Sequence, residues 1–314
     1  MSRLRSISSS DQDAVRAVAA RYVPRATALE RIPSYNNLVV RLRQGGSGDR
    51  ILKIARAGDR GLALTREPEV MAVMRQNGLP VPAIEVEDLQ GKLVGRPFFL
   101  MTSAGERTAA ELSGLSSHSR RELFRDVAHI LARIHNIPFT APADFTGYRL
   151  VKPGFERSPL EQWHRAQLGY ARHHRLFEST LLDRVELALP NLPRPREFSM
   201  CHGDFNPSQC VRSGPRVNAV VDWEASYVGD PVFDYALFDV VLDSAVPQSL
   251  AETCRAAYAE VRPLPTDYDR AYRPFKLSHA IALAGTYHAH RRGGPLRSTQ
   301  ELVQRLASSL KAAA

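Results

Sequence analysis

Cysteine is scarce. The 314-residue chain has three, Cys201, Cys210 and Cys254. They are too few and too scattered for a disulfide framework, so a reducing, cytoplasmic setting is the expectation. Long apolar runs are missing as well. None approaches the ~20 residues that span a bilayer, which removes a membrane partner. The opening stretch, MSRLRSISSSDQD, carries two arginines but no apolar core of a secretory signal. His164, His173 and His174 have no thiolates nearby and no common ligand spacing, so they make no zinc set. There is no internal repeat. There is also no basic run interleaved with aromatics, so the net charge of +9 reads as an arginine-rich solvated surface, and nucleic acid is not an expected partner.

What is present suits a globular protein with a sizeable core, 44% hydrophobic and 24% charged. Residues 10–22 have an amphipathic helical pattern, with Ser10 as N-cap and Asp13 three positions on. Three β-like runs follow, Ala28–Ile32, Leu38–Leu42 and Ile51–Ile54. The turn at 33–37, P-S-Y-N-N, offers Ser34, Asn36 and Asn37 as hydroxyl, amide and backbone donors to an anion. Lys53 lies within the third run, where an inward lysine needs a carboxylate. Glu67 and Glu69, in the helical stretch 64–76 that begins near Arg66, are the candidates. VPAIEVED and the apolar run Pro97–Met101 come next, then TSAGERT at 102–108, a short polar hinge.

Beyond the hinge the pattern turns helical, over 116–136, 160–189, 233–246, 248–261, 267–291 and 298–312. Residues 138–160 read as loop, and 190–197 as a proline-rich break. The expected architecture is α+β: a small β-rich part over residues 1–101 and a larger, mainly α-helical part over 109–314. The space between such parts is the default ligand site.

The most informative stretch is 200–224, MCHGDFNPSQCVRSGPRVNAVVDWE. It reads as loop, strand, Gly-Pro turn, strand, with Asp204 and Asp222 at the two ends. Two carboxylates brought together there require a cation or a proton between them. Cys201 and Cys210 flank the loop and read as buried, structural thiols. Phosphoryl transfer from a nucleotide needs a lysine on phosphate oxygens, oxygen ligands for magnesium, a carboxylate at the acceptor hydroxyl and a loop of N–H donors. Each has a candidate here.

In these motifs the sequence resembles the aminoglycoside phosphotransferase and choline kinase-like family, small-molecule kinases with a protein-kinase-like two-lobe fold. The resemblance spans residues 28–290. It rests on H-G-D-F-N-P-S-Q at 202–209, V-V-D-W-E at 220–224 and G-D-P-V-F-D-Y-A at 229–236, supported by R-I-L-K-I, R-E-P-E-V, F-F-L-M and L-A-R-I-H. It implies ATP (or GTP) and Mg2+ as cofactors. It makes 1–101 the nucleotide-binding lobe and 109–314 the catalytic and acceptor-binding lobe. Asp204 would be the catalytic aspartate and Asp222 a magnesium ligand. Lys53 would hold the phosphates, steadied by Glu67. Ser34, Asn36 and Asn37 would cover them, and the backbone from Met101 to Ser103 would receive the base. His202, Asp230 and Asp234 would brace the loop.

One position departs from the family pattern: its asparagine, five residues after the catalytic aspartate, is Gln209 here. The amide oxygen is kept, so Gln209 stays a metal-ligand candidate, with Asn206 as a nearby second amide. The implied activity is transfer of a γ-phosphate to a hydroxyl of an antibiotic, nucleoside or sugar-containing small molecule, of the resistance or self-protection type. A primary-metabolic kinase for an amino alcohol or sugar, and a nucleotide-binding pseudokinase, are the alternatives. The segment 270–292 holds five Lys or Arg and three His and no acidic residue, so the expected acceptor is neutral or anionic rather than polycationic.

Overall fold

The computed structural model describes residues 7–34, 36–44, 48–56, 64–140, 143–146, 149–150, 157–189 and 197–308. They fall into two compact units. The first comprises residues 1–111 together with 208–225, and the second 112–207 with 226–314.

The first unit begins with α1 (Ser9–Tyr22) and continues through β1 (Ala28–Ile32), β2 (Asn37–Arg43) and β3 (Arg50–Ala55). Next come α2 (Glu67–Gln76), β4 (Ile84–Asp88), β5 (Phe98–Thr102) and β6 (Arg107–Thr108). β1 to β5 form one antiparallel sheet in the order β1-β2-β3-β5-β4. Alternation along its strands decides what each face carries. Leu38, Val40 and Leu42, Leu52 and Ile54, and Phe98 and Leu100 share a core with Val15 and Val18 of α1. Val15 and Val18 are fully buried, which stabilises this packing by roughly 1.5–3 kcal/mol per side chain. Lys53, between Leu52 and Ile54, must therefore point to the opposite face, in register with Val39 on β2 and Phe99 on β5. The cap of α1 is Ser8, whose hydroxyl accepts from the Asp11 amide, and not Ser10 as the sequence suggested. The start of α2 is as expected, with Pro68 in its first turn.

Between these elements and the late segment that completes the first unit, the chain makes the second. This opens with α3 (Ser117–His135), β7 (Pro138–Phe139), β8 (Ala143–Thr146), β9 (Arg149–Leu150), α4 (Arg157–His173), α5 (Ser179–Ala188) and β10 (Phe198–Cys201). The late segment is the hairpin β11 (Cys210–Ser213) and β12 (Arg216–Val220), turning at Gly214-Pro215 as read from the sequence. β11 also pairs with β6. The second unit resumes with β13 (Tyr227–Gly229), α6 (Pro231–Ala245), α7 (Gln248–Val261), α8 (Tyr268–Ala271), α9 (Arg273–Ala289) and α10 (Gly293–Ser308). Its sheet has the order β7-β10-β13-β8-β9. Three short strands thus occupy a stretch read as loop; at two to four residues each they are too short to show alternation.

The segment 267–291 is two helices, because Pro274 sits in the first turn of α9 and starts a new one. α10 starts five residues earlier than expected, at Gly293, and the end of that expected helix lies outside the described residues. So does most of the proline-rich break at 190–197. α6 is apolar on almost every side, which makes it the buried centre of its unit. Among the described residues no helix is long and apolar enough to cross a membrane.

Candidate active site

Lys53 is the centre of the first unit's polar cluster. Its Nζ donates to Glu67 Oε2 at 2.7 Å and to Asp222 Oδ1 at 2.7 Å, and lies 3.2 Å from Glu224 Oε2. Burial alone would lower its pKa, but Glu67, Asp222 and Glu224 outweigh it and hold the ammonium well above its ordinary range. Glu67 is fully enclosed. Its second oxygen accepts from the Trp223 amide at 3.1 Å, so α2 grips both the lysine and the backbone after Asp222.

The hairpin supplies the other half. The Val221 amide donates to the Gln209 carbonyl, and Val220 to Pro80. The chain then turns sharply at Asp222, with φ of 68°. This left-handed conformation is strained for most side chains and tolerated by aspartate; here it aims the carboxylate at Lys53. Gln209 Nε2 lies 3.3 Å from Asp222 Oδ2, which brings the departing residue beside the aspartate it was expected to assist.

Glu224 is the residue that sequence reasoning missed. Its two oxygens accept from the side-chain amides of Asn36 and Asn37, each at 2.5 Å. The partners lie 188 and 187 residues away. Its position two residues after Asp222 was the only available signal. Of the other expected nucleotide contacts, Ser34 uses its carbonyl to accept from Arg56. Met101 lies inside β5 between β3 and β4, and the Ser103 amide donates to the Asp49 carbonyl at 3.1 Å.

One buried ammonium faces three carboxyl groups, and burial pushes Glu67 upward in pKa against the pull of Lys53. One oxygen from each of Glu67, Asp222 and Glu224 lies within 4.8 Å of the others. Oxygen-only donors with excess negative charge fit a hard divalent cation such as Mg2+.

In the second unit the loop after β10 carries Asp204. Gly203 has φ of 81°, a conformation that favours glycine, and the Asp204 side chain is exposed. The loop hangs on Asp234 in the first turn of α6. Its Oδ2 accepts from the His202 amide at 2.8 Å and its Oδ1 from the Gly203 amide at 2.9 Å. His135 Nε2 is 3.0 Å from Oδ2, and His135 Nδ1 is 2.7 Å from the Tyr258 hydroxyl. A carboxylate only accepts, so Nε2 carries the proton, and Nδ1 accepts from the tyrosine. His202 Nδ1 accepts from the Asp204 amide at 3.3 Å, a bracing contact. Asn206 donates to the Asp204 carbonyl. All three cysteines are buried, and burial raises the thiols of Cys201 and Cys254, which suits inert structural residues.

The same unit holds a set of buried groups that makes it acid-sensitive. Burial lowers His135, and pushes His164 down to about 3 and His279 to about 4. Burial raises Asp230 to about 6. Each histidine takes up its proton only on unfolding, so the stability it contributes is present above pH 6.5 and is lost as pH falls below that value. Asp230 does the reverse, releasing a proton on unfolding between about pH 6 and its ordinary value of 3.8. His164 and His279 together take up about two protons and Asp230 gives one back. The net of about one, to which His135 adds in the same direction, is worth roughly 1.4 kcal/mol or more of lost stability per pH unit. Urea unfolding should show this loss between pH 6 and 4.5, steeper in Asp230→Asn; a flat profile would contradict it.

The chain matches the phosphotransferase enzyme family over residues 28–275 and belongs to it. Its fold is the kinase-like one, an N-terminal antiparallel sheet followed by a mostly helical part. A thermostable mutant of aminoglycoside phosphotransferase APH(4)-Ia, in ternary complex with ADP and hygromycin B, shares it. The TM-score is 0.66, with 14% identity over 95% of this chain and 99% of that one. Macrolide 2'-phosphotransferase MphH of Brachybacterium faecium shares it with a TM-score of 0.57, 18% identity and coverage of 96% and 99%. A curated relative is acyl-CoA dehydrogenase family member 10 of Mus musculus, 26% identical over 197 residues, 59% of this chain. The match spans only 17% of that longer protein.

Proposed function

We propose that the chain is an ATP- or GTP-dependent O-phosphotransferase that moves the γ-phosphate to a hydroxyl of a small molecule. The observation that carries this is the clamp on Lys53. A lysine held charged on a buried strand, beside a left-handed aspartate, is equipped to hold phosphate oxygens next to a cation. Asp222 and Gln209 would hold Mg2+, which supplies charge neutralisation on the phosphates when bound. Asp204, exposed on a loop anchored at two backbone amides, is suited to accept or orient the acceptor's hydroxyl proton. Ser34, Asn36 and Asn37 would cover the phosphates, and the backbone from Met101 to Ser103 would receive the base.

For the acceptor we favour a neutral or anionic hydroxyl compound. The basic segment 270–292 supports this less strongly than its composition implied. Lys276 is buried with its Nζ 2.6 Å from Asp239, and half-buried His279 is held neutral by desolvation. The match to part of a protein named for acyl-CoA dehydrogenation favours a metabolic role over antibiotic inactivation, and adds hydroxylated acyl thioesters to the acceptors worth testing. The test is an ATP-coupled screen of hydroxyacyl thioesters, sugars, nucleosides, amino alcohols, macrolides and aminoglycosides, read by mass spectrometry for an added phosphate. Transfer to a neutral or anionic acceptor is the expected result. A polycationic aminoglycoside as best substrate at physiological salt would overturn the acceptor reading. Nucleotide binding with no transfer to any acceptor would favour the pseudokinase.

A further inference from the structure

We propose that Glu224 occupies, from within the chain, the anion subsite that receives the nucleotide's terminal phosphates, and that nucleotide binding begins by displacing it. The inference rests on the reading of this cluster as a phosphate site.

Three N–H donors converge on one carboxylate. Asn36 Nδ2 and Asn37 Nδ2 each lie at 2.5 Å, one per oxygen, and Lys53 Nζ at 3.2 Å. A carboxylate has no proton to give, so both amides must turn their N–H groups toward it. The same donors, two amides from a turn and an ammonium, are what a phosphate oxygen pair requires. A carboxylate and a phosphate edge present similar oxygen pairs, so the donors do not need to rearrange to exchange one for the other. The Glu224 side chain is 11% exposed, whereas that of Glu67 is 1% exposed. Of the carboxylates around Lys53, Glu224 thus has a way out and Glu67 has none.

The lysine can also release it. Its contacts to Glu67 and Asp222 are both at 2.7 Å, shorter than that to Glu224, so the ammonium stays doubly paired when Glu224 leaves. Asn37 is buried and Asn36 exposed, so the donor pair runs from the interior to the surface, as an entry point for a charged ligand would. In the free protein Glu224 therefore satisfies the buried Asn37 amide, which would otherwise stand desolvated and unpaired. An incoming phosphate must outcompete it.

The test is binding of ADP and of tripolyphosphate in EDTA, without divalent cations, by calorimetry. Removing the internal competitor in Glu224→Ala should tighten both by about tenfold, equivalent to about 1.4 kcal/mol. Glu224→Gln, which keeps the shape but not the charge, should tighten them less. In the wild type, tripolyphosphate should shift the side-chain amide resonances of Asn36 and Asn37, a readout that needs no variant to fold. Unchanged or weaker metal-free binding in Glu224→Ala, or amide resonances that do not move, overturns the proposal. A change seen only with Mg2+ present also overturns it and makes Glu224 a cation ligand instead. The acceptor screen is read separately. A failed screen with tightened anion binding would sink the transferase reading and leave the displaced carboxylate standing. Transfer without tightening would do the opposite.

Discussion

Asp204→Asn is expected to lower kcat by about 10²–10⁴-fold and to leave nucleotide affinity nearly unchanged, once an acceptor is in hand. The substitution keeps size and removes the group that takes or orients the acceptor proton. The loop itself should survive. Asp234 holds the His202 and Gly203 amides, and His202 braces the Asp204 amide, so none of these contacts uses the Asp204 carboxylate. The check is steady-state kinetics with nucleotide binding measured alongside. Equal turnover in wild type and variant would sink the assignment of Asp204 as the catalytic base.

The second large effect is on stability. Lys53→Met should destabilise the fold by about 3–5 kcal/mol, because it leaves Glu67 buried without its cation. Adding Glu67→Leu should recover part of the loss. Recovery should be incomplete, since the Trp223 amide then loses its acceptor, at a cost of roughly 1–3 kcal/mol. Urea unfolding of the single and double variants measures both terms. A loss below about 1 kcal/mol for Lys53→Met would show that the pairing contributes little net stability.

Much of this is legible in the sequence. The alternation in R-I-L-K-I puts Lys53 opposite Leu52 and Ile54, and the hairpin between Gln209 and Asp222 follows from two apolar runs around Gly214-Pro215. The cap of α1 was misplaced because Ser8, Ser9 and Ser10 offer the same hydroxyl, and only the helix start distinguishes them. Glu224 was out of reach for another reason. Its partners sit in a turn 187 and 188 residues earlier, and nothing local to V-D-W-E marks a carboxylate as already claimed. The buried pairing of Lys276 was hidden likewise, because composition counts charges without knowing which are buried.

The first unit is discontinuous, and this bears on how the protein is made. Residues 1–111 lack β11 and β12, Asp222 and Glu224 until residue 225 has been synthesised. Until then Lys53 has Glu67 but neither of its later partners, and Arg212 has not yet reached the Thr108 and Glu111 carbonyls. At ordinary translation rates the nascent first unit waits roughly ten seconds for its last piece. During that interval the edge at β6 has no partner from β11. A ribosome-bound chain stalled short of residue 208 should therefore be protease-sensitive in its first hundred residues, and one released past residue 225 should not.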